Sequence, residues 1–479
     1  MYNEFIFHFC SDELKVALNL FTNQIKNILL NDKNLKIKTE KHLDNLDSTY
    51  PVNFLAFNND WVAFLDYYLF NLQNCDINQP DLLGNTPLII AVKLGHKEFV
   101  HVLIYLNADA LIKNNEGWSA ISEAISYGEL KTVEAILKLF NTQNRIRISE
   151  SKDMQVINKS RDFIIEFSWD IKTWIPILSK FLPSDNCKLT KRGSRLRLDQ
   201  TLSDFNNQKW CRGNISCIIN PNISKNQFNI YLLDNQKKVY QILNLYEENI
   251  PKDEIMSLMT SEIVDAKLDT KNVIYVPKTN FWSFSYDAVK RQVGNFDAQM
   301  YDMNNVFMFL KRRSEHISQK QMELNKVVKK RMQKGNFSVL KDSEYDLIDL
   351  DITGRDITWD QYKESMMKNI SIDIGRKQIL KSNSKEIKLS IGMCDQFPLE
   401  ISEILDVFEM ILPEKKVNRI RDIFTMKMPP GFPVTIDIPI VPTVSANISF
   451  LSAHVGQPNL NIDENLFLIP PEYLLVKKI

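Results

Sequence analysis

Part of this 479-residue chain repeats with a period of 33 residues, and that constrains the fold more than any other feature. Gly84-Asn85-Thr86-Pro87-Leu88-Ile89-Ile90-Ala91 aligns with Gly117-Trp118-Ser119-Ala120-Ile121-Ser122-Glu123-Ala124. The register continues through Gly95 and Gly128, Val100 and Val133, and Ile104 and Leu137. Each position has a physical reason. Thr86 and Ser119 can cap a first helix, and Pro87 stands at the first helical position, where its missing N–H costs nothing. Ala91 and Ala124 are small where helices pack closely, and Gly95 and Gly128 suit the turn between paired helices. A unit of one turn and two helices cannot bury its apolar face alone, so about three units are expected. A degraded unit is read in residues 50–82, its second helix opening at Asn59-Asp60-Trp61-Val62-Ala63-Phe64-Leu65. A helix within residues 11–45, opened by Ser11-Asp12-Glu13-Leu14, is expected to cap the stack.

This period and pattern belong to ankyrin repeats, whose turn tips commonly meet partners. Asp81, Asn85, Asn114 and Trp118 are therefore the candidate partner contacts. After residue 145 the pattern changes to alternation. Strands are expected over 162–169, 188–199, 215–219, 228–233, 239–243, 273–276, 282–286 and 296–301. Asp234-Asn235-Gln236-Lys237 reads as a hairpin turn. Short helices are expected over 174–178, 398–412 and 417–424, and a basic helix over 309–335. Residues 385–393 read as one strand, and two more alternate at Val434, Ile436 and Ile438 and at Val444, Ala446, Ile448 and Phe450. Pro439 and Pro442 confine these to strand ends, edges or bulges. The fold class is α+β: an α-helical repeat stack followed by a mainly antiparallel β-rich domain with a few helices. The expected boundaries are a cap over 1–48, repeats over 49–145, a first β-rich part over 146–313, a basic helix and flexible linker over 314–357, and a second β-rich part over 358–479. Trp169, Trp174, Trp210, Trp282 and Trp359 read either as β-domain core or as a binding groove.

Charge and motifs narrow the function. The chain balances 59 basic with 59 acidic side chains, which argues against a dedicated nucleic-acid binder. Its six cysteines show no paired ligand spacing, and reduced thiols are expected rather than a zinc site. The residues near Met1 do not read as a signal peptide, and no stretch approaches the ~20 apolar residues of a membrane span. No nucleophile elbow, phosphate-binding loop, dinucleotide fingerprint or zinc-protease motif is present. The expectation is a non-enzyme without cofactor, metal or small-molecule substrate. His96 is expected to make a structural hydrogen bond. The cluster Lys191, Arg192, Arg195 and Arg197 reads as a patch for anionic lipid headgroups or an acidic partner, or as an exposed hairpin with ordinary charges.

Longer motifs then point further. Trp174-Ile175-Pro176, Leu182-Pro183-Ser184-Asp185, Lys191-Arg192-Gly193, Arg197-Leu198-Asp199-Gln200-Thr201-Leu202, Arg212-Gly213-Asn214-Ile215-Ser216, Val293-Gly294-Asn295-Phe296, Phe397-Pro398-Leu399 and Lys427-Met428-Pro429-Pro430-Gly431-Phe432-Pro433-Val434 together resemble the ankyrin repeat domain-containing protein 13 family. The similarity runs from about residue 50 to 470. Ala124-Ile125-Ser126-Tyr127-Gly128, Ile357-Thr358-Trp359-Asp360-Gln361-Tyr362 and Ile438-Pro439-Ile440-Val441-Pro442-Thr443 resemble its C-type branch. The resemblance implies a chaperone for G-protein-coupled receptors or other multi-pass receptors, peripherally attached on the cytosolic face of the endoplasmic reticulum. It supplies no catalytic residue. Other branches carry ubiquitin-interacting motifs, and none is read here. A ubiquitin-linked trafficking adaptor and an anionic-lipid-binding scaffold are the alternatives.

Overall fold

The structure, a computed structural model, describes residues 18–19, 46–72, 74–150, 160–173, 182–206, 209–222, 227–243, 250–279, 289–333, 357–411, 428–441, 444–456 and 460–476. Most of the expected cap helix, the helices over 174–178 and 417–424, the strand over 282–286 and most of the linker lie outside the described residues.

The repeats form three helix pairs: α1 Pro51–Phe57 with α2 Trp61–Phe70, α3 Pro87–Leu94 with α4 Lys97–Tyr105, and α5 Ala120–Tyr127 with α6 Leu130–Glu150. Asp60 caps α2 by accepting from the Ala63 N–H at 3.0 Å, and Thr86 caps α3 by accepting from Ile89 at 3.3 Å. Ser119 makes no such bond; its hydroxyl instead lies 3.4 Å from that of Ser122. His96 is bonded through Nδ1 to the Ala56 carbonyl at 2.9 Å, tying the second pair to the first. Gly95 ends α3 with φ +74°, and a Cβ there would lie 2.0 Å from the Tyr127 hydroxyl, so both conformation and space require glycine. Leu88, Ile89, Ala91, Phe99, Val102, Ala124 and Ile136 are fully buried in the shared core.

Among the described residues sixteen strands follow. The first six are β1 Phe163–Thr173, β2 Ser184–Arg192, β3 Arg195–Asn206, β4 Lys209–Asn222, β5 Gln227–Asp234 and β6 Val239–Leu243. After α7 Lys252–Thr260 come β7 Ile263–Asp269, β8 Ile274–Pro277, β9 Lys290–Val293, β10 Phe296–Asn304 and β11 Phe307–Arg313. Helices α8 Gln319–Gln333 and α9 Trp359–Met367 precede β12 Leu380–Glu386 and β13 Leu389–Cys394. Helix α10 Ile401–Ile411, β14 Phe432–Val441, β15 Val444–Val455 and β16 Leu474–Leu475 complete the set. The large sheet runs β16-β6-β5-β4-β3-β2-β1-β15-β14-β13-β10-β8, with β9 on β10; a small sheet runs β12-β11-β7. All neighbours are antiparallel except β16 on β6. A register shift falls between Pro439 and Val441, where a proline cannot donate to the ladder.

Three expectations are corrected. The stretch 188–199 is not one strand: the chain turns at Gly193, with φ +55°, and β2 pairs back on β3 from Cys187↔Gln200 to Arg192↔Arg195. The basic stretch 309–335 is not one helix. Met308 and Leu310 alternate with Phe307 and Phe309, so the chain stays a strand to Arg313, turns through buried residues 314–317, and enters α8 only at Gln319. The stretch 385–393 is not one strand either. β12 belongs to the small sheet and β13 to the large one, parted where the Ile387 N–H donates to Val306 at 2.8 Å. β10–β11 bends at the same level, so one bent pair of arms bridges both sheets.

Strands from either side of residues 314–357 share the large sheet. β1 pairs with β15 from Phe163↔Val455 to Thr173↔Val444, and β10 pairs with β13. The core between them stacks Phe397 on Phe432 at 3.7 Å, with Phe450 edge-on. A protease site engineered between residues 334 and 356 should therefore cut the backbone without separating the halves. Co-elution of both fragments on size exclusion is the expected outcome; their separation would contradict the shared sheet.

Candidate functional site

The repeat turns project two tips built alike. Asp81 Oδ1 accepts from the N–H groups of Leu83 and Asn85, each at 2.9 Å, and 33 residues later Asn114 Oδ1 accepts from Trp118 at 2.9 Å. These side chains pre-shape the backbone of each turn. Asn114 Nδ2 donates to Asn85 Oδ1 at 2.9 Å, joining the tips.

The polar side chains that shape the tips do not face solvent. Tyr362, on α9, donates its hydroxyl proton to Asp81 Oδ2 at 2.6 Å and accepts from Asn85 Nδ2 at 2.9 Å. α9 is held in place by a capping box at Thr358 and Gln361. Its Trp359 packs edge-on against Phe54 and Phe57, and Tyr362 stacks on Phe57 at 5.4 Å. Asp47 accepts from Trp359 Nε1 at 3.1 Å and from Lys363 at 2.6 Å. Burial pushes the Asp47 carboxyl up, but these bonds and those of Tyr50 and Thr49 outweigh it and hold it at about 2. Burial raises Asp81 in spite of the Tyr362 bond, and burial together with Asp81 drives the Tyr362 hydroxyl strongly up.

A second lock lies along the same stack. Arg313, 1% exposed, donates through Nη1 and Nη2 to the two oxygens of Glu123 at 2.9 and 3.0 Å, and through Nε to Glu315 at 2.8 Å. Ser126 accepts from Nη2 at 2.8 Å and donates to Glu315. The guanidinium carbon stands 5.1 Å from the Trp118 ring centre. Lys93 lies 3.8 Å from Glu123, so two buried carboxylates face two cations. Residues 370–379 close the remaining space: Arg376 Nη1 donates to the Ser126 carbonyl at 3.1 Å, and Ile379 N–H to Glu315 at 3.2 Å. Gly375, with φ +144°, passes so near α3 that a Cβ would lie 2.2 Å from the Lys93 carbonyl oxygen. At the rim Lys113 pairs with Asp265 at 2.7 Å, and Lys311 donates to the Glu116 carbonyl at 2.9 Å.

Thus the structure places Asp81, Asn85, Asn114 and Trp118 together, all buried, in contact with the chain's own α9 and β11. Sequence reasoning missed Arg313, Glu123, Glu315 and Tyr362. One signal was available: Glu123 falls in register with Ile90, a charge at a position the preceding repeat keeps apolar.

The basic hairpin is likewise engaged. Lys191 is fully buried, donating to the Ser160 carbonyl at 2.9 Å with Asp162 at 3.7 Å. Arg192 pairs with Glu464 at 2.8 Å and donates to the Ile462 carbonyl, and Arg195 lies 4.0 Å from Glu464. Arg197 donates to Asp199 at 2.8 Å, Ser216 at 2.9 Å and the Leu466 carbonyl at 2.7 Å. Together they fasten the segment around Glu464, whose Ile462 and Phe467 pack on Ile218 and Leu233 across the sheet. Of the tryptophans, Trp169 packs on the β core, whereas Trp359 leaves it for the repeats; Trp174 and Trp282 lie outside the described residues.

Clefts of 530 and 310 Å³ lie over β1–β4. Asp185, beside the smaller, is saturated by the Thr201 hydroxyl at 2.6 Å, the Leu202 N–H at 2.9 Å and Arg212 at 3.3 Å. Burial pushes the Cys187 thiol up to about 12 and the Cys217 thiol to about 11, so neither is a thiolate nucleophile near neutral pH. Among the described residues no three His, Cys, Asp or Glu side chains are placed to hold a metal ion, and no helix is long and apolar enough to cross a membrane.

Removing one member of a buried ion network leaves the others unpaired at a cost of about 3–5 kcal/mol. Arg313→Ala should lose stability of that order in chemical denaturation. Tyr362→Phe, which strips a donor from Asp81, should lose about 1–3 kcal/mol. Burial raises the Glu315 carboxyl, but Arg313 and Ser126 outweigh it and hold it below its ordinary 4.5. A carboxyl lowered on folding stabilises above its unfolded value, and that contribution is lost as pH falls through the folded value. Asp81, raised by burial, acts with the opposite sign. The stability gap between the wild type and Glu315→Gln should therefore be widest near neutral pH and shrink as pH falls below 4.5; a gap constant with pH would contradict the lock.

Comparison with known proteins covers both modules. A family model described as ANKRD13 C-terminal matches residues 197–473, and one for three ankyrin repeats matches residues 54–147. The chain is 36% identical over 408 residues to ankyrin repeat domain-containing protein 13C-B of Xenopus laevis, covering 84% of this chain and 78% of that protein. It is 35% identical over 430 residues to the 13C protein of Homo sapiens, covering 88% and 77%. To the human 13B protein it is 28% identical over 432 residues, covering 84% and 67%.

Proposed function

Because this chain belongs to the ankyrin repeat domain-containing protein 13 family, we propose that it is a non-enzymatic chaperone or biogenesis factor for newly made multi-pass receptors, G-protein-coupled receptors among them. It works from the cytosolic face of the endoplasmic reticulum as a peripheral protein and controls receptor exit. The observation that carries the reading is the presence of both family modules in one chain, fastened to each other through Arg313 and Tyr362. Ankyrin repeats are protein-binding modules, and a stack fastened to a second module offers a client one rigid surface.

Asp81, Asn85, Asn114 and Trp118 would meet a client only if α9 and β11 withdrew. The client contact assigned here is Phe307 and Phe309, 37% and 42% exposed. They lie on the same face of β11 as Lys311, whose ammonium reaches the second repeat tip. Exposed aromatics beside a rigid element suit an apolar segment of an incompletely assembled receptor.

The test is co-isolation of the tagged full chain with multi-pass membrane proteins from solubilised membranes. The Phe307→Ser, Phe309→Ser double variant should recover several-fold less receptor while melting like the wild type. If the wild type recovers no multi-pass protein, the reading fails. Recovery of ubiquitin chains with endosomal coat proteins would replace it with the trafficking-adaptor reading.

A further inference from the structure

We infer that the exposed face of α8 is a docking surface for an anionic lipid bilayer. The inference rests on the peripheral-membrane part of the proposed function and adds the surface that makes the contact. α8 spans 15 residues, Gln-Lys-Gln-Met-Glu-Leu-Asn-Lys-Val-Val-Lys-Lys-Arg-Met-Gln, in which five cations stand against one acid, Glu323. The whole chain is neutral, so this is a local concentration of positive charge.

The placement of the helix sorts its side chains. Gln321 is 4% exposed and bonds Asn325 at 2.9 Å; Asn325 Nδ2 donates to the Thr260 carbonyl at 2.8 Å. That face is fixed to the end of α7. At 100° per residue the opposite face carries Glu323, Lys330, Val327 and Lys326, with Arg331 and Leu324 along one edge. Leu324 is 36% and Val327 44% exposed, and Lys326, Lys330 and Arg331 are exposed beside them. Two aliphatic side chains with three cations and one acid, Glu323, around them, along roughly 13 Å of helix, match the headgroup–acyl boundary of a bilayer. The apolar groups enter and the ammonium and guanidinium groups meet phosphate. A nucleic acid would find phosphate contacts but no use for Leu324 and Val327. The basic hairpin at Lys191–Arg197 is a weaker candidate, because Asp162, Asp199 and Glu464 already neutralise it.

The test is flotation of the purified full chain with vesicles of phosphatidylcholine alone or mixed with phosphatidylserine, at low and high salt. Wild type should float with the mixed vesicles alone and be released by salt. The Lys326→Glu, Lys330→Glu, Arg331→Glu variant should lose roughly a hundredfold in affinity. Leu324→Ser with Val327→Ser should lose several-fold. Both should melt like the wild type, because the altered side chains are exposed. Reversal of the exposed Lys290 and Arg291 on β9 should change nothing. Wild type that ignores anionic vesicles, an α8 variant that floats unchanged, or equal loss from the β9 variant would each overturn the proposal. Binding to a poly-glutamate resin without vesicle binding would overturn it in favour of an acidic protein. Since the vesicles contain no protein, failure here is distinguishable from failure of the receptor reading, which stands on co-isolation.

Discussion

The guanidinium of Arg313 holds the two modules of this protein together. It reaches from the last residue of β11 into the repeat stack, takes both oxygens of Glu123, bonds Glu315, and covers Trp118. An arginine suits this place because its planar fork satisfies a carboxylate with two parallel bonds and still offers Nε to a second. Burial disfavours its charge, yet the two carboxylates outweigh burial and hold the group cationic. Such a network adds little net stability over an apolar core, but it is intolerant of loss and of misplacement. It therefore acts as a register pin between the repeats and the small sheet. The Asp81–Tyr362–Asn85 hydrogen-bonded cluster is its counterpart on α9.

The small sheet can present Arg313 only because β10–β11 and β12–β13 bend together out of the large sheet at Val306 and Ile387. The large sheet is itself closed by residues remote in sequence, since β1 sits between β2 and β15. Repeats, small sheet and large sheet thus form a chain of dependencies. The repeat tips are shaped by Asp81 and Asn114, sealed by α9 and β11, and β11 is aimed by the sheet behind it. Exposed apolar groups remain at Phe307 and Phe309 and along α8, uncovered by the described residues.

Local patterns carried much of this in the sequence. The 33-residue period, the Thr86 cap, the αL glycines and the alternation in β1, β4–β6, β10, β14 and β15 each depend on neighbours a few residues away. Where two local readings competed, the sequence reading failed. Residues 309–313 have as many cations as a helix would carry, yet period-two burial of Met308 and Leu310 made them a strand. Residues 385–393 alternate throughout, and only the change of partner from β11 to β14 divides them. Trp359 looked like β-domain core and packs instead on Phe54 and Phe57 of the repeats.

By itself the sequence determined the repeat stack, the α+β class, the family and the polar residues that shape each tip. All of these are written in spacing and side-chain type along a short stretch of chain. Tertiary structure alone decided what those tips and charges touch. Asp81 meets Tyr362 across 281 residues, and Glu123 meets Arg313 across 190. Arg192 and Arg197 reach the backbone near Glu464 about as far away, at Ile462 and Leu466. A buried polar group must find its partner wherever the fold brings one, and the spacing of residues along the chain holds no record of that meeting.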